Sequence, residues 1–378
     1  MAEAQLPANM PATVEQASPD RGYVAASQWK LIWWKFRKHR LAMLGGIVTV
    51  MIYTVALFAD FFAPYMPDQY ASNFTYAPPQ TLHLFKDGAF RPHVNGYKVE
   101  IEYNAERRNF VVDPEVEYPV GLFVQGKPYK ILGLVETNIR LIGPVNPDDP
   151  MYLLGADRLG QDVFSRTIYG ARVSMTIGLV GVGLSLFFGI LLGGISGYFG
   201  GWVDNVIQRL IEFLQSIPSI PLWIGLAAAI PVNIPPLQVY FLITIILSVL
   251  GWTGLARVVR GKFYALKAED FVKAARLDGC SPLRVIFRHM VPSFLSHIIA
   301  VVTLAIPGMI IAETSLSFLG VGLRTPVVSW GVLLQEAQNI RAISTAPWLL
   351  WPGAGVVIAV LALNFLGDGL RDAADPYS

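Results

Sequence analysis

The stretch EDFVKAARLDGCSPLRVIFRHMVPS, Glu269 to Ser293, decides how this chain is read. Glu269 and Asp270 place acid at a helix start, where the macrodipole favours it. Phe271, Ala274, Ala275 and Asp278 follow at helical spacing. Gly279 suits the stop of that helix. Ser281 is placed to cap a second helix, and Pro282 suits its first turn. In that second helix Leu283, Ile286, Phe287 and Met290 share one face, with Arg284 and Arg288 away from it. Pro292 closes the cassette. The local physics is helix, glycine turn, helix, both too short to cross a bilayer. Ala274 and Ala275 leave room for close approach by another surface. Two readings stand: a docking device, or loop helices packed on the chain's own spans. Cys280 reads as a small turn residue. His289 has no metal-ligand partner at helical spacing and reads as packing.

The chain around the cassette is of a different kind. Its 378 residues are 53% hydrophobic and 15% charged, against about 25% charged in globular domains. Mean hydropathy is +0.47. The net charge of +2 argues against nucleic acid as a partner. A single cysteine excludes an internal disulfide. A membrane helix needs about 20 apolar residues. Six stretches approach that length: roughly 41–63, 173–199, 206–230, 237–257, 294–318 and 348–369. Pro218 and Pro221 interrupt the third, which makes five spans and a re-entrant segment the competing count. Residues 1–26 are polar, without an apolar run, and read as a disordered cytoplasmic tail.

Basic residues set the orientation. Lys30, Lys35, Arg37, Lys38 and Arg40 precede the first span. Arg257, Arg260, Lys262, Lys267, Lys273, Arg276, Arg284 and Arg288 lie between the fourth and fifth. Six spans put both segments on one side, the cytoplasmic side, together with both termini. LIWWKFRKHRLAM before the first span fits a helix lying in the lipid interface, and equally an ordinary basic flank.

Residues 66 to about 150 form a polar insert between the first two spans, expected to face outward. GYKVEIEY alternates apolar and polar residues with period two, and RRNFVVD and YKILGLVE also read as extended. A small β-rich domain is the expectation. GLFVQGKPY within it imitates a phosphate-binding loop at Gly121, Gly126 and Lys127. Pro128 then stands where a magnesium-binding hydroxyl is required, and the context is strand-like. His83 and His93 carry no nucleophile or metal constellation with them.

The cassette closely resembles the EAA loop of ABC importer permeases. Glu269, Ala274, Ala275, Gly279 and Pro292 match that pattern, with Asp270 and Phe271 intervening as in the dipeptide and oligopeptide branch. LLGADRLGQDVFSRTIYGARVS (153–174), GYFGGWVDN (197–205), AETSLSFLGVGL (312–323), SWGVLL (329–334) and LGDGLRDAADP (366–376) resemble the C-type subunit of the same branch. The resemblance covers about 28–64 and 150–378; the long insert departs from it. It implies an all-α polytopic membrane protein of six transmembrane helices of the ABC importer permease type, with a small β-rich extracytoplasmic insert between helices 1 and 2. The expected domains are 1–26, the tail; 27–64, interfacial helix and first span; 65–152, the insert; and 153–378, the permease core with coupling loop 258–292. The coupling loop would use Glu269, Asp270, Ala274, Ala275, Gly279, Pro282, Arg284, His289 and Pro292.

The resemblance also implies a role. The chain would be a permease subunit of the bacterial inner membrane, not an enzyme, forming half a translocation pathway for short peptides. Oligosaccharide, opine or nickel cargo is the alternative. Its partners would be a second permease, two cytoplasmic ABC ATPases, an extracytoplasmic binding protein and membrane lipid. ATP and magnesium would sit on the ATPases, leaving this chain no catalytic, cofactor or metal residues of its own. Pathway candidates are Glu313, an ionisable residue within a span, and Pro218 and Pro221, at a kink. For Glu313 a structural hydrogen bond is the competing reading. Asp157, Arg158 and Asp162, just before span two, would cap its helix or meet the binding protein. An ion-driven transporter would show several charges deep in its spans and a repeat of spans. A membrane enzyme would show a catalytic constellation in the insert. The sequence shows neither.

Overall fold

The computed structural model describes residues 28–102, 107–231 and 233–374. The expected tail, 1–26, lies outside them. Helices α1 (Gln28–Lys38), α2 (Arg40–Leu57) and α3 (Ala59–Phe62) precede a sheet. After it come α4 (Val163–Phe199), α5 (Gly201–Ser216), α6 (Ser219–Ala228), α7 (Pro236–Leu266) and α8 (Asp270–Leu277). The chain ends with α9 (Pro282–Arg284), α10 (Val291–Ser293), α11 (Leu295–Phe318), α12 (Trp330–Gln335), α13 (Ile340–Thr345) and α14 (Trp351–Ala374).

Among the described residues five helices are long and apolar enough to cross a membrane: α2, α4, α7, α11 and the stretch Pro347–Ala374 that contains α14. The chain is a multi-pass membrane protein. The expected third span, 206–230, is not straight: α5 and α6 meet at 86°. Pro218 makes the bend. It has no N–H to continue α5, and it holds Ile217 extended, at φ −91° and ψ 127°. The count is five, or six if the bent pair crosses once. Pro221 lies in the first turn of α6, where the missing N–H breaks no helical bond.

Two spans run longer than hydropathy drew them. Helix α4 starts at Val163 rather than 173, and α7 continues to Leu266 rather than 257. Hydropathy marks the lipid-facing part of a helix; polar contacts carry these two helices beyond it. Residues 258–266, expected as the head of a loop, are therefore continuous helix.

Lipid is as apolar as leucine, so membrane helices associate through close packing and hydrogen bonds. Helix α4 is built for close packing. A Cβ added at Gly189 would lie 2.8 Å from Leu255, one at Gly193 2.4 Å from the Ala256 carbonyl oxygen, and one at Gly197 2.6 Å from Phe263. This four-residue repeat lets α4 and α7 touch backbone to backbone. Met175 and Ile177 of α4, Ile243 and Leu247 of α7, Ile310 of α11 and Leu363 of α14 form the main core.

The insert is a four-stranded antiparallel meander: β1 (Leu82–Lys86), β2 (Ala89–Glu102), β3 (Arg107–Ile131) and β4 (Val135–Pro144). Strand β3 serves two hairpins. Its first half pairs with β2 up to Pro119, and its second half with β4 from Val120. The segment resembling a phosphate-binding loop lies within β3. Buried Arg140 ties the sheet to the helices. Its Nη1 donates to the carbonyls of Asp60 at 3.0 Å and Ala63 at 2.6 Å, at the end of α3. The Tyr65 hydroxyl donates to Asp149 O and accepts from Met151 N.

Candidate functional site

The cassette lies at the end of α7. The Glu269 carbonyl accepts from the amides of Val272 and Lys273 and so starts α8, while its side chain makes no capping bond. Val272 and Ala275 point inward onto Phe263, Val285, Ile286 and Met290. The Arg276 guanidinium lies 4.6 Å from the Tyr198 ring of α4. The turn that ends α8 has two bonds of Schellman type. Cys280 N donates to Ala275 O at 3.1 Å, and Gly279 N donates to Arg276 O at 3.0 Å. Gly279 has φ +72°, a left-handed value that glycine adopts without strain. Cys280 is half-buried beside this cluster.

The second half of the cassette departs from expectation in two ways. Ser281 occupies the capping position, but its side chain makes no cap bond; its carbonyl accepts from Val285 instead. Beyond Arg284 the helix widens into a π-helical turn over Val285–Met290. The wider turn brings Val285 inward beside Ile286 and Met290. The expected single apolar face is thereby divided. Leu283 and Phe287 face solvent with Phe271, Ala274 and Leu277. Leu277 is 87% exposed. Arg284, Arg288, Asp270 and Lys273 are also exposed in the cassette, His289 is half-buried and Pro292 is exposed. An apolar surface among charges is the form of a protein contact.

A second cluster adjoins the cassette, and sequence reading did not assemble it. Asp204 of α5 is buried, yet its carboxylate accepts from four groups. These are Arg260 Nε and Nη2 of α7 at 2.6 Å each, Tyr264 Oη at 2.7 Å, and Ser196 Oγ of α4. The clasp locks α4, α5 and α7 together beside the cassette. The only sequence signal was GYFGGWVDN, which contains Asp204; the partner Arg260, 56 residues on, reads as one more basic flank residue.

Glu313 lies fully buried in α11. Its carboxylate accepts from Ser174 Oγ of α4 at 3.0 Å, Ser317 Oγ at 2.9 Å and Ser329 Oγ at 2.8 Å. Each serine in turn accepts a backbone amide: Trp330, Leu323 and Val332 respectively. The knot fixes α4, α11 and the start of α12. Pro218 and Pro221 are exposed at the α5–α6 elbow and make no bond to this knot, although α6 packs on the same core through Trp223, Ile224 and Ala227.

The start of α4 shows the expected caps. Asp162 accepts from the amides of Phe164 at 3.3 Å and Ser165 at 2.8 Å, and from Ser165 Oγ at 2.6 Å. Burial pushes its carboxyl up to about 6 against those bonds. Asp157 accepts from the amides of Leu159 and Gln161 and pairs with Arg166. Arg158 donates its amide to Glu336, which also accepts from the Tyr76 hydroxyl at 2.8 Å. Burial raises the Glu336 carboxyl and the Tyr76 hydroxyl alike. Tyr76, Asp157, Arg158, Arg166 and Glu336 line a cleft of about 690 Å³. In the insert, His83 and His93 stack across β1 and β2 with ring centroids 5.3 Å apart, an arrangement the sequence did not suggest.

The chain matches two family models. Residues 189–377 match the binding-protein-dependent transport system inner membrane component, and residues 27–79 match the N-terminal transmembrane domain of oligopeptide transport permease C. The chain belongs to the family of binding-protein-dependent ABC importer permeases, and it is a membrane component rather than an ATPase subunit. It is 30% identical to the oligopeptide transport system permease protein OppC of Bacillus subtilis, over 93% of this chain and 90% of that one. It is 38% identical to OppC of Haemophilus influenzae, over 60% of this chain and 70% of that one. With the dipeptide transport system permease protein DppC of Bacillus subtilis it shares 36% identity, over 61% and 70%.

Proposed function

We propose that this chain forms one half of the pathway of an ATP-driven importer of short peptides. One observation carries the reading. The cassette turns Phe271, Leu277, Leu283 and Phe287 outward while the Schellman turn and the Asp204 clasp hold its base rigid. A loop folded only on its own spans would turn those side chains inward. In this role the cassette seats in a cytoplasmic ATPase. Glu269, Asp270, Arg284 and His289 meet its rim, and Ala274, Ala275, Gly279, Pro282 and Pro292 set its shape. Two such ATPases supply ATP and magnesium, and a second permease completes the pore. A binding protein delivers cargo on the side of the insert, and both termini are cytoplasmic.

Peptide cargo follows from the relatives, which carry oligopeptide and dipeptide permease names. At the outer end the Glu313 knot serves as a fixed point. The α5–α6 elbow at Pro218 and Pro221, exposed and lightly packed, lines the path. Reconstitution tests the whole. The chain should co-purify with an ABC ATPase, and ATP turnover should rise when peptide-loaded binding protein is added. Isolation without an ATPase, or turnover indifferent to the binding protein, would overturn the role. A binding protein whose melting temperature shifts with a sugar and not with peptides would overturn the cargo alone.

A further inference from the structure

The two hairpin turns at one end of the sheet share a geometry and differ in chemistry. The β1–β2 turn is Asp87–Gly88, with φ +48° and +76°. The β3–β4 turn is Leu132–Gly133, with φ +50° and +74°. Asp-Gly is what this turn selects in water, because aspartate tolerates the left-handed region and hydrogen-bonds locally. Leucine does neither, so its presence answers to something outside the turn. Around it Leu134 is 84% exposed and Val135 62%, which completes the apolar run Ile131-Leu132-Gly133-Leu134-Val135.

The course of β3 shows where this turn points. Phe110 packs in the outer layer with Tyr97 and Tyr152, and Val120 packs on Met151. Phe123 then reaches Phe61 of α3, with ring centroids 6.2 Å apart. Strand β4, returning, places Arg140 on the carbonyls of Asp60 and Ala63. The hairpin thus runs from the outer layer to the end of span α2, and continues past α3 by eight residues, from Phe123 to Ile131. At about 3.3 Å per residue that is roughly 20 Å once the irregular pairing is allowed for. Helix α2, which leads into α3, carries exposed apolar side chains at Ile47, Val50, Met51 and Leu57.

The geometry points to a lipid-contacting finger: the apolar β3–β4 turn seats at the boundary of headgroups and acyl chains on the insert's side of the membrane, where water and headgroups still satisfy the unpaired edges of the two-stranded ribbon. Lys127 and Lys130, exposed on the approach, reach the phosphate headgroups while their stems lie along the acyl boundary. The finger anchors the sheet at a fixed height above the spans. The inference rests on the membrane placement of α2, not on the cargo or the ATPase.

The test is depth-dependent quenching in the full-length chain, assembled with its partners in lipid vesicles. With Cys280→Ser to remove the native thiol, Leu134→Cys carries a bimane label. Bromine-substituted lipid chains should quench it, and aqueous iodide should not. A label at Glu115→Cys, toward the other end of β3, should show the reverse. Iodide quenching at residue 134 without lipid quenching would place the turn in water and overturn the proposal. Protection from both quenchers would place it in a protein pocket and overturn it equally. Labelling of Glu115→Cys by a membrane-impermeant thiol reagent reports the side of the insert separately, so an error in topology is distinguishable from an error about the finger.

Discussion

Replacing Gly279 by valine separates the docking role of the cassette from its folding. The left-handed φ of +72° costs an ordinary residue about 1–2 kcal/mol, more for a β-branched side chain. A Cβ at this position meets nothing within 4 Å of it in the chain. The folded chain therefore loses a few kcal/mol at most, within a stability of about 5–15 kcal/mol. The added methyls project into open space, which in the proposed role is the space an ATPase surface occupies. Membrane levels of the Gly279→Val chain should stay close to normal, while stimulation of ATP turnover by loaded binding protein should disappear. Gly279→Asn is the control, because asparagine accepts the left-handed region with little strain yet fills the same space. It too should uncouple. Normal coupling in the asparagine variant with failure in the valine variant would assign the effect to backbone strain. Normal coupling in both would refute docking at this surface.

Three further outcomes follow from the packing. Asp204→Ala and Arg260→Ala should each lower the unfolding free energy of the purified chain by about 2–3 kcal/mol. That is less than for a wholly buried pair, because the arginine side chain is 33% exposed. The double variant should be scarcely worse than either single one; additive losses would refute the clasp. Gly193→Leu should remove the folded chain from the membrane, since even a Cβ would lie 2.4 Å from the Ala256 carbonyl. Gly183→Ala on the same helix, with nothing within 4 Å, should be neutral or stabilising by up to about 1 kcal/mol in a melting assay. Asp162, raised from 3.8 to about 6, keeps its proton longer in the folded state than in the unfolded one. Its neutral form favours folding below pH 3.8, and that contribution fades as pH rises through about 6. The full span, about 2 pH units at 1.36 kcal/mol each, is about 3 kcal/mol. Asp162→Asn should flatten the fall in thermal stability between about pH 4 and 6; an unchanged slope would assign it to other groups.

The spans, the cassette and the strand character of the insert were legible because each depends on local pattern. Apolar length marks lipid, Gly279 marks a helix end, and alternation from Tyr97 marks a strand. What stayed hidden depends on distance in the chain. Arg260 of α7 pairs with an aspartate of α5, 56 residues earlier in the chain, and Ser174 and Ser329 reach Glu313 from separate elements. No periodicity reports such partners. The cassette's apolar face was misjudged for a different reason. Ideal helical spacing assigned Leu283 and Phe287 to the same side as Ile286 and Met290, and a π-turn has no sequence signal of that kind. The 86° elbow lay between: Pro218 announced a break, but its angle is set by packing.

The two polar knots lie toward opposite ends of one helix. At about 1.5 Å per residue the 37 residues of α4 extend about 55 Å, well beyond a bilayer core of about 30 Å. Near its start Ser174 joins the Glu313 knot; near its end Ser196 joins the Asp204 clasp, and Tyr198 stacks under Arg276 of the cassette. Between them the glycine repeat holds α7 against it. In the proposed role a displacement of α8 passes to α4 and α7 together, through the Arg276–Tyr198 contact and the Asp204 clasp. Helices α5 and α6 differ. Beyond the clasp they have few buried side chains, and Pro218 has already removed the hydrogen bonds that would stiffen the bend. In the proposed role the rigid pair carries the movement across the membrane, and the elbow is the part able to change shape in response.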